Sequence, residues 1–279
     1  MITVTCDTLA STNSTAKALA EEHPGRSIVV IAGEQTAGRG RRGRTWASPR
    51  GGVWMTIARP TDPTRPQHYL PLLTGLAIRD AVLEVCAEPG DDRDALAGRL
   101  SIKWPNDLLI DGRKVAGVLC ERIRTAPINP RGPDDHAAIV GIGVNADFET
   151  DLLPRDTRLP ATTLRHAIGR PVDAPALTGE IASAFEQRAN ADDRAGGKAL
   201  TPEALDEINA SLAFRNEAVG FTVNSQEHTG ILLNVEPTGH ALVRTEAGVV
   251  SVNAGEIERL SPHQTETETK RLHPSGDTR

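Results

Sequence analysis

Arg39, Arg41, Arg42, Arg44 and Arg50 crowd into twelve residues of a chain whose net charge is −6. Guanidinium forks pair with phosphates and carboxylates. The interleaved Gly38, Gly40 and Gly43 allow tight, mobile backbone geometry. Such a loop repels itself when empty, and an anion would neutralise and order it. The pattern points to a lid that closes on a phosphorylated or adenylylated ligand. The spacing Gly38-Arg39-Gly40-Arg41-Arg42-Gly43 also matches the bare dinucleotide fingerprint, which needs a helix opening at its last glycine. Here Trp46-Ala47-Ser48-Pro49 follows, and then an apolar strand pattern, so that reading is set aside. No Gly-Lys-Ser/Thr occurs, so the nucleoside-triphosphate loop is absent too.

A second constellation is Lys103-Trp104-Pro105-Asn106-Asp107. Lysine is rare beside arginine in this chain, so Lys103 and Lys114 stand out. Lys103 closes an apolar strand pattern, Pro105 restricts Trp104 to extended geometry, and Asn106-Asp107 reads as a turn. A strand-end lysine can reach a carboxylate and a phosphate together. Lys114-Val115-Ala116-Gly117 returns along the neighbouring strand, and Gly117 marks a close approach of a ligand. In Gly141-Ile142-Gly143-Val144-Asn145, two glycines in a buried strand leave a flat wall for a ring or chain. Asn145 ends that strand and can meet a ligand or cap a turn.

These residues need elements to hold them. Ser11 or Asn13 caps a helix to about Glu22. Residues 27–32 read as a buried strand, 33–44 as the glycine–arginine loop, and 52–59 as the next strand. A long amphipathic helix is expected over 67–86, a polar loop over 89–94, and a strand over 100–104. Segments 107–110 and 114–121 flank Asp111-Gly112, a strong hairpin signal. Residues 124–136 read as a flexible excursion, and 138–144 as a buried strand. Helical patterns cover 163–168, 177–188 and 201–212, with a break over 191–198. After Arg215 four short strands, 220–223, 229–235, 241–244 and 249–253, read as a small independent β barrel of about 45 residues. The stretch 262–279 reads as a disordered tail.

Composition bounds the rest. Of 279 residues, 38% are hydrophobic and 24% charged, which fits a soluble globular chain. Aromatics make up only 3%, so each of the three tryptophans invites a question. No run approaches the roughly 20 apolar residues of a membrane span. Residues 1–10 lack the pattern of a signal peptide. Cys6, Cys86 and Cys120 form no close pair, against a disulfide scaffold or structural zinc. No metal-ligand cluster stands out. The net charge disfavours a general nucleic-acid binder. A cytoplasmic enzyme fits best.

Taken in order, Ser11-Thr12-Asn13, Gln35 through the arginine loop to Trp46, Lys103-Trp104-Pro105-Asn106-Asp107 with Lys114-Val115-Ala116-Gly117, and Gly141-Ile142-Gly143-Val144-Asn145 resemble the biotin–protein ligase family. The resemblance covers roughly residues 7–150 and 212–260. It implies an α/β (α+β) fold: a mixed sheet with flanking helices like that of class II aminoacyl-tRNA synthetases, plus a small C-terminal SH3-like β barrel. The expected division is 1–211 catalytic, 212–261 barrel and 262–279 tail. Only ten residues precede Ser11, so an N-terminal DNA-binding domain and a repressor role are not expected.

The resemblance also implies roles. Ser11, Thr12, Asn13, Gln35, Arg39, Arg41 and Lys103 would contact biotin, with backbone at Gly117 and Gly141. Arg41, Arg42, Arg44, Trp46, Lys103, Asn106 and Asn145 would surround the nucleotide, Trp46 packing against adenine. Lys103, Arg39 and Arg41 would stabilise the phosphoryl charge, with Mg²⁺ bridging the phosphates of ATP, and Asp107 would orient or deprotonate the acceptor amine. The partner would be a biotin carboxyl carrier protein or domain, with neither DNA nor a membrane involved. A second copy could pair at an exposed sheet edge. Two rivals are a lipoate–protein ligase, which shares the adenylate chemistry, and a non-enzymatic anion- or nucleic-acid-binding protein.

Overall fold

Seven strands form one mixed sheet in the order β1-β2-β3-β7-β6-β5-β4. They are β1 (Ile2–Leu9), β2 (Ile28–Gln35), β3 (Val53–Thr61), β4 (Leu100–Lys103), β5 (Asp107–Ile110), β6 (Arg113–Thr125) and β7 (Asp135–Val144). The computed structural model describes residues 1–87, 93–128, 135–154, 159–223, 226–253 and 257–259. The expected tail over 262–279 lies outside these, as do parts of the expected loop over 89–94 and of the excursion over 124–136. Only β1 and β2 run parallel; every other neighbouring pair is antiparallel.

The two faces of the sheet are covered differently. Helix α1 (Thr12–Glu22) lies on one face, packing Ala16 and Ala20 against Ile28, Val30, Ala58 and Ile139. Helices α2 (Leu70–Cys86) and α5 (Ala174–Arg194) share the opposite face in the largest buried cluster, with Met55, Val140, Ile142 and Val144. Alternation along β7 therefore sends Ile142 and Val144 to the α2 side, and Gly141 and Gly143 to the α1 side. The α1 side is where the site lies.

Short helices α3 (Arg93–Arg99), α4 (Leu164–Ile168) and α6 (Pro202–Ala210) complete the large unit. A five-stranded antiparallel sheet follows, built from β8 (Ala218–Val223), β9 (Gln226–Val235), β10 (Ala241–Thr245), β11 (Gly248–Val252) and β12 (Ile257–Arg259), in the order β11-β10-β9-β8-β12. It has one strand more than the sequence pattern suggests. Its buried Val219, Phe221, Leu232 and Val243 belong to the same apolar cluster as α2 and α5.

The hairpin at Asp111-Gly112 forms as expected, both residues taking positive φ (50° and 73°). Other expectations need correction. Residues 2–9 form an edge strand whose Thr3, Thr5 and Asp7 face solvent, so its apolar signal is diluted. Gly33, Glu34 and Gln35 continue β2 instead of starting the loop. Arg93–Arg99 is a helix, so Asp94 is helical and not part of the loop expected over 89–94. Strands β6 and β7 extend into the expected excursion, pairing Arg124 with His136 and Thr125 with Asp135.

Helix α5 runs to Arg194, through the expected break at Ala191. Tertiary partners hold that extra turn. Tyr69 donates to Asp192 at 3.0 Å, Arg59 reaches Asp193 at 2.6 Å, and Arg65 also pairs with Asp193. The two neighbouring carboxyls shift oppositely. Burial pushes Asp192 up. Burial also opposes ionisation of Asp193, but Arg65 and Arg59 outweigh it and hold that carboxyl below the ordinary value. A depressed folded pKa adds stability above the unfolded value, lost as pH falls through the folded one. Asp193→Asn should therefore lower the melting temperature at pH 7, by about 1 kcal/mol of stability. The gap from wild type should close below about pH 4, as thermal unfolding across a pH series would show.

Candidate active site

The floor of the site is the α1 side of the central strands, where Gly117 and Gly143 are cross-strand partners on β6 and β7, and Leu119 faces Gly141. Above it lies a cavity of about 490 Å³. Of the residues singled out in the sequence, Ser11, Thr12, Asn13, Gln35, Arg39, Arg41, Arg44, Trp46, Lys103, Asn106, Asp107, Gly117, Gly141 and Asn145 all line it. Arg42 does not. It takes φ 56° within a 3₁₀ turn over Arg41–Gly43 and is exposed, so it is the one expected nucleotide contact that does not line the cavity.

One end of the cavity is closed and polar. Gln35, at the end of β2, accepts from the Thr12 backbone N–H at 2.8 Å and from Thr12 Oγ1 at 3.1 Å. It thus satisfies one of the free donors of the first turn of α1, where Ser11 makes no side-chain cap. Gln35 Nε2 donates to Ser48 at 2.9 Å. Thr56 Oγ1 lies 2.6 Å from Asn13 Oδ1 and 2.8 Å from Thr12 Oγ1. Asn13 Nδ2 donates to Glu121 at 3.0 Å, and Lys17 reaches the other Glu121 oxygen at 2.6 Å. Burial would raise the pKa of Glu121, yet the hydrogen bonds from Lys17 and Asn13 hold it below the ordinary value. A Cβ on Gly141 would collide with the Asn13 amide, so only glycine lets these groups share the wall.

Two residues further along β7, roughly 7 Å away, the cavity becomes cationic and aromatic. The Trp46 indole lies on Gly143 and Gly117, where added Cβ atoms would stand 2.7 and 2.9 Å from it. Lys114 Nζ sits 4.9 Å from the centre of the Trp46 ring, a cation–π contact. Lys114 also pairs with Asp107 at 2.7 Å. Asp107 is itself the cross-strand partner of Lys103, which is buried. Lys114 was visible in the sequence as a rare lysine opening the Lys114–Gly117 motif, with no contact of its own assigned; its place over Trp46 depends on contacts between separate strands.

The arginine loop is folded against this end. Gly40 N–H donates to Arg44 O at 2.7 Å and Trp46 N–H to Gly38 O at 2.9 Å. Arg39 donates to Ser14 at 2.7 Å, and Arg41 to Asn106 Oδ1 at 3.0 Å. Burial, then repulsion from Arg42, pulls the Arg41 pKa down, although a guanidinium stays charged in proteins. Asn145 is buried and donates to Thr162 O at 3.0 Å, leaving its buried Oδ1 without a protein partner. Such an atom lining a cavity suits a ligand donor. Burial pushes the Cys120 thiol up, which fits an inert structural cysteine.

The three tryptophans now divide. Trp54 Nε1 donates to Pro49 O at 2.8 Å, and Trp104 Nε1 to Gly239 O at 2.9 Å in the small sheet unit. Their side chains are buried, whereas Trp46 lines the cavity. Ligand binding should therefore change tryptophan emission through Trp46 alone. Trp46→Phe should abolish the change and leave the emission of Trp54 and Trp104 unaltered in a fluorescence titration.

Residues 6–145 match the Biotin/lipoate A/B protein ligase family. The chain belongs to that family. It is 33% identical over 251 residues to a biotin–[acetyl-CoA-carboxylase] ligase of Paracoccus denitrificans, covering 88% of this chain and 96% of that one. It is 31% identical over 263 residues to the bifunctional ligase/repressor BirA of Bacillus spizizenii, covering 90% of this chain and 72% of the relative. Among solved structures, the biotin protein ligase of Aquifex aeolicus in complex with biotin and ATP superposes with a TM-score of 0.73 at 25% identity. That match covers 93% of this chain and 99% of the Aquifex protein. The mixed α/β fold expected from the sequence is thus the fold of this family.

Among the described residues no group of three His, Cys, Asp or Glu side chains could hold a metal, and Asp107 is the one carboxylate among the described lining residues. Mg²⁺ would instead arrive on the phosphates of the nucleotide.

Proposed function

We propose that this chain is an ATP-dependent biotin–protein ligase: it activates biotin as biotinyl-5′-AMP and transfers biotin to a lysine of a carboxylase carrier protein. The observation that carries this reading is the polarity of the cavity. An end of neutral hydrogen-bonding groups, Thr12, Asn13 and Gln35, with Arg39 beside it on Ser14, opens into an end lined by Lys103, Lys114, Arg41 and Arg44. A neutral ureido head with a carboxylate tail matches both ends. An apolar acid such as lipoate would bring no hydrogen-bonding partner to the neutral end.

In the first step a carboxylate oxygen bonds to the α-phosphorus of ATP, and the bond to the departing pyrophosphate breaks. Negative charge gathers on phosphoryl oxygens. Lys103, Arg39 and Arg41 are the groups we assign to stabilise it. The attacking oxygen is already ionised, so no base is required. In the second step the lysine nitrogen bonds to the acyl carbon, AMP departs with the bridging oxygen, and the amine loses its proton. Asp107 is the carboxylate that can orient or accept from that amine. Trp46 and Asn145 are assigned to the nucleotide, and the folded arginine loop to shielding the anhydride from water.

The reading treats 1–211 as the catalytic unit and 212–261 as the small β unit. The partner is a carrier protein in the cytoplasm, in keeping with a net charge of −6 that disfavours DNA and anionic membranes. Among the described residues no helix is long and apolar enough to cross a membrane. Strand β1, at the edge of the sheet, leaves backbone groups to which a second copy could pair. The test is mass spectrometry of a biotin carboxyl carrier domain incubated with the chain. One biotinyl group should be added to one lysine, only with both ATP and biotin present. An unmodified carrier in the presence of both would overturn the reading.

A further inference from the structure

Phe214 takes φ 63°, a left-handed conformation that a bulky residue rarely adopts. The strain is imposed from both sides. Before it, residues 211–213 run beside β4, with Ile102 N–H donating to Ser211 O at 2.8 Å and Ala213 N–H to Ile102 O at 2.9 Å. After it, Arg215 donates to Leu233 O at 3.1 Å and to Asn209 O at 3.0 Å, and Asn216 N–H to Leu232 O at 2.7 Å. The segment joining the two units is thus clamped, and its strained residue lines the cavity. Strain kept in this way clusters at functional sites.

Its position in the site follows from strand register. Gly117 pairs with Asp107, Asp107 with Lys103, and residues 211–213 flank β4 on its outer side. Phe214 therefore stands about three strand spacings, roughly 15 Å, from the Trp46 indole over Gly117. The closed end at Asn13 and Gly141 is assigned to the acid, and Trp46 and Asn145 to the nucleotide. Phe214 lies beyond Lys103 on the remaining side.

We propose that Phe214 forms the acceptor side of the cavity, its ring contacting the aliphatic stem of the carrier lysine in the second step. The inference rests on the ligase reading above and adds a residue to it. A lysine stem is four methylenes long and packs on apolar surface while its amine reaches a polar group. An aromatic wall beside Lys103 and Asp107 provides that packing and disfavours the charged form of the amine, which must be neutral to attack. The carrier, not the acid or ATP, is the substrate it serves.

The experiment compares three rates in wild type and Phe214→Gly, a change that also relieves the left-handed strain. They are biotin-dependent ATP–pyrophosphate exchange, transfer to a carrier protein, and hydroxamate formation with hydroxylamine, which needs no guiding wall. Carrier kcat/KM should fall at least tenfold, while exchange and hydroxamate formation change less than threefold. Phe214→Tyr should restore transfer. Should the glycine variant lose exchange through misfolding, Phe214→Asn tolerates the left-handed backbone while removing the apolar ring, and carrier transfer must still fall further than exchange. Unchanged carrier transfer, or an equal fall in all three rates in both variants, overturns the proposal alone. Absence of exchange in the wild-type chain overturns the ligase reading, and this inference with it.

Discussion

Lys103→Ala should lower biotin-dependent ATP–pyrophosphate exchange by about 10²- to 10³-fold. Lys103 is buried at the end of β4, so its ammonium acts where water screens it least. The charge it meets develops on the phosphoryl oxygens as the carboxylate attacks. That charge is greater in the transition state than in bound ATP, so kcat should fall more than KM rises. Neighbouring cations do not replace it: Arg41 is held by Asn106, and Lys114 by Asp107 and Trp46. Lys103→Arg should recover only part of the rate, because a planar fork cannot take the place of a compact ammonium. Exchange in the alanine variant within threefold of wild type would remove Lys103 from the chemistry.

Gly141→Ala should cripple binding of the acid while sparing ATP. The new methyl group would occupy the space of the Asn13 amide. Asn13 cannot yield cheaply, because Thr56 and Glu121 hold both ends of its amide. Overpacking of this kind costs about 1–3 kcal/mol, or roughly a tenfold to hundredfold rise in the dissociation constant for biotin. Calorimetric titration would show it, with ATP affinity changed less than threefold. Gly143→Ala, two residues along the strand, should have a different signature. Its methyl group meets the Trp46 indole, so the nucleotide end should suffer and the acid end should not.

The site was legible because its chemistry sits in short local motifs. Arginines between glycines, a lysine closing an apolar strand and glycines within a buried strand each violate what packing alone would favour. Such violations mark function. What stayed hidden depends on contacts between distant segments. Lys114 gains its place only when β5 and β6 pair, setting it against Asp107 and Trp46. Phe214 looks like an ordinary linker residue until 211–213 dock beside β4. Trp104 was noticed, but its bond to Gly239 spans 135 positions. In the fold, Asp192 and Asp193 resemble a helix end, yet Tyr69, Arg59 and Arg65 keep them helical. Strand β1 was missed because an edge strand with exposed threonines shows little apolar contrast.

The central claim is adenylation of a specific acid. ATP–pyrophosphate exchange should be measured with Mg²⁺ in three parallel samples, containing biotin, lipoate or neither acid. The account predicts exchange with biotin and only background in the other two. Exchange with lipoate alone would move the chain to the sister activity of its family. A folded sample that binds ATP but exchanges with neither acid would contradict the adenylate mechanism.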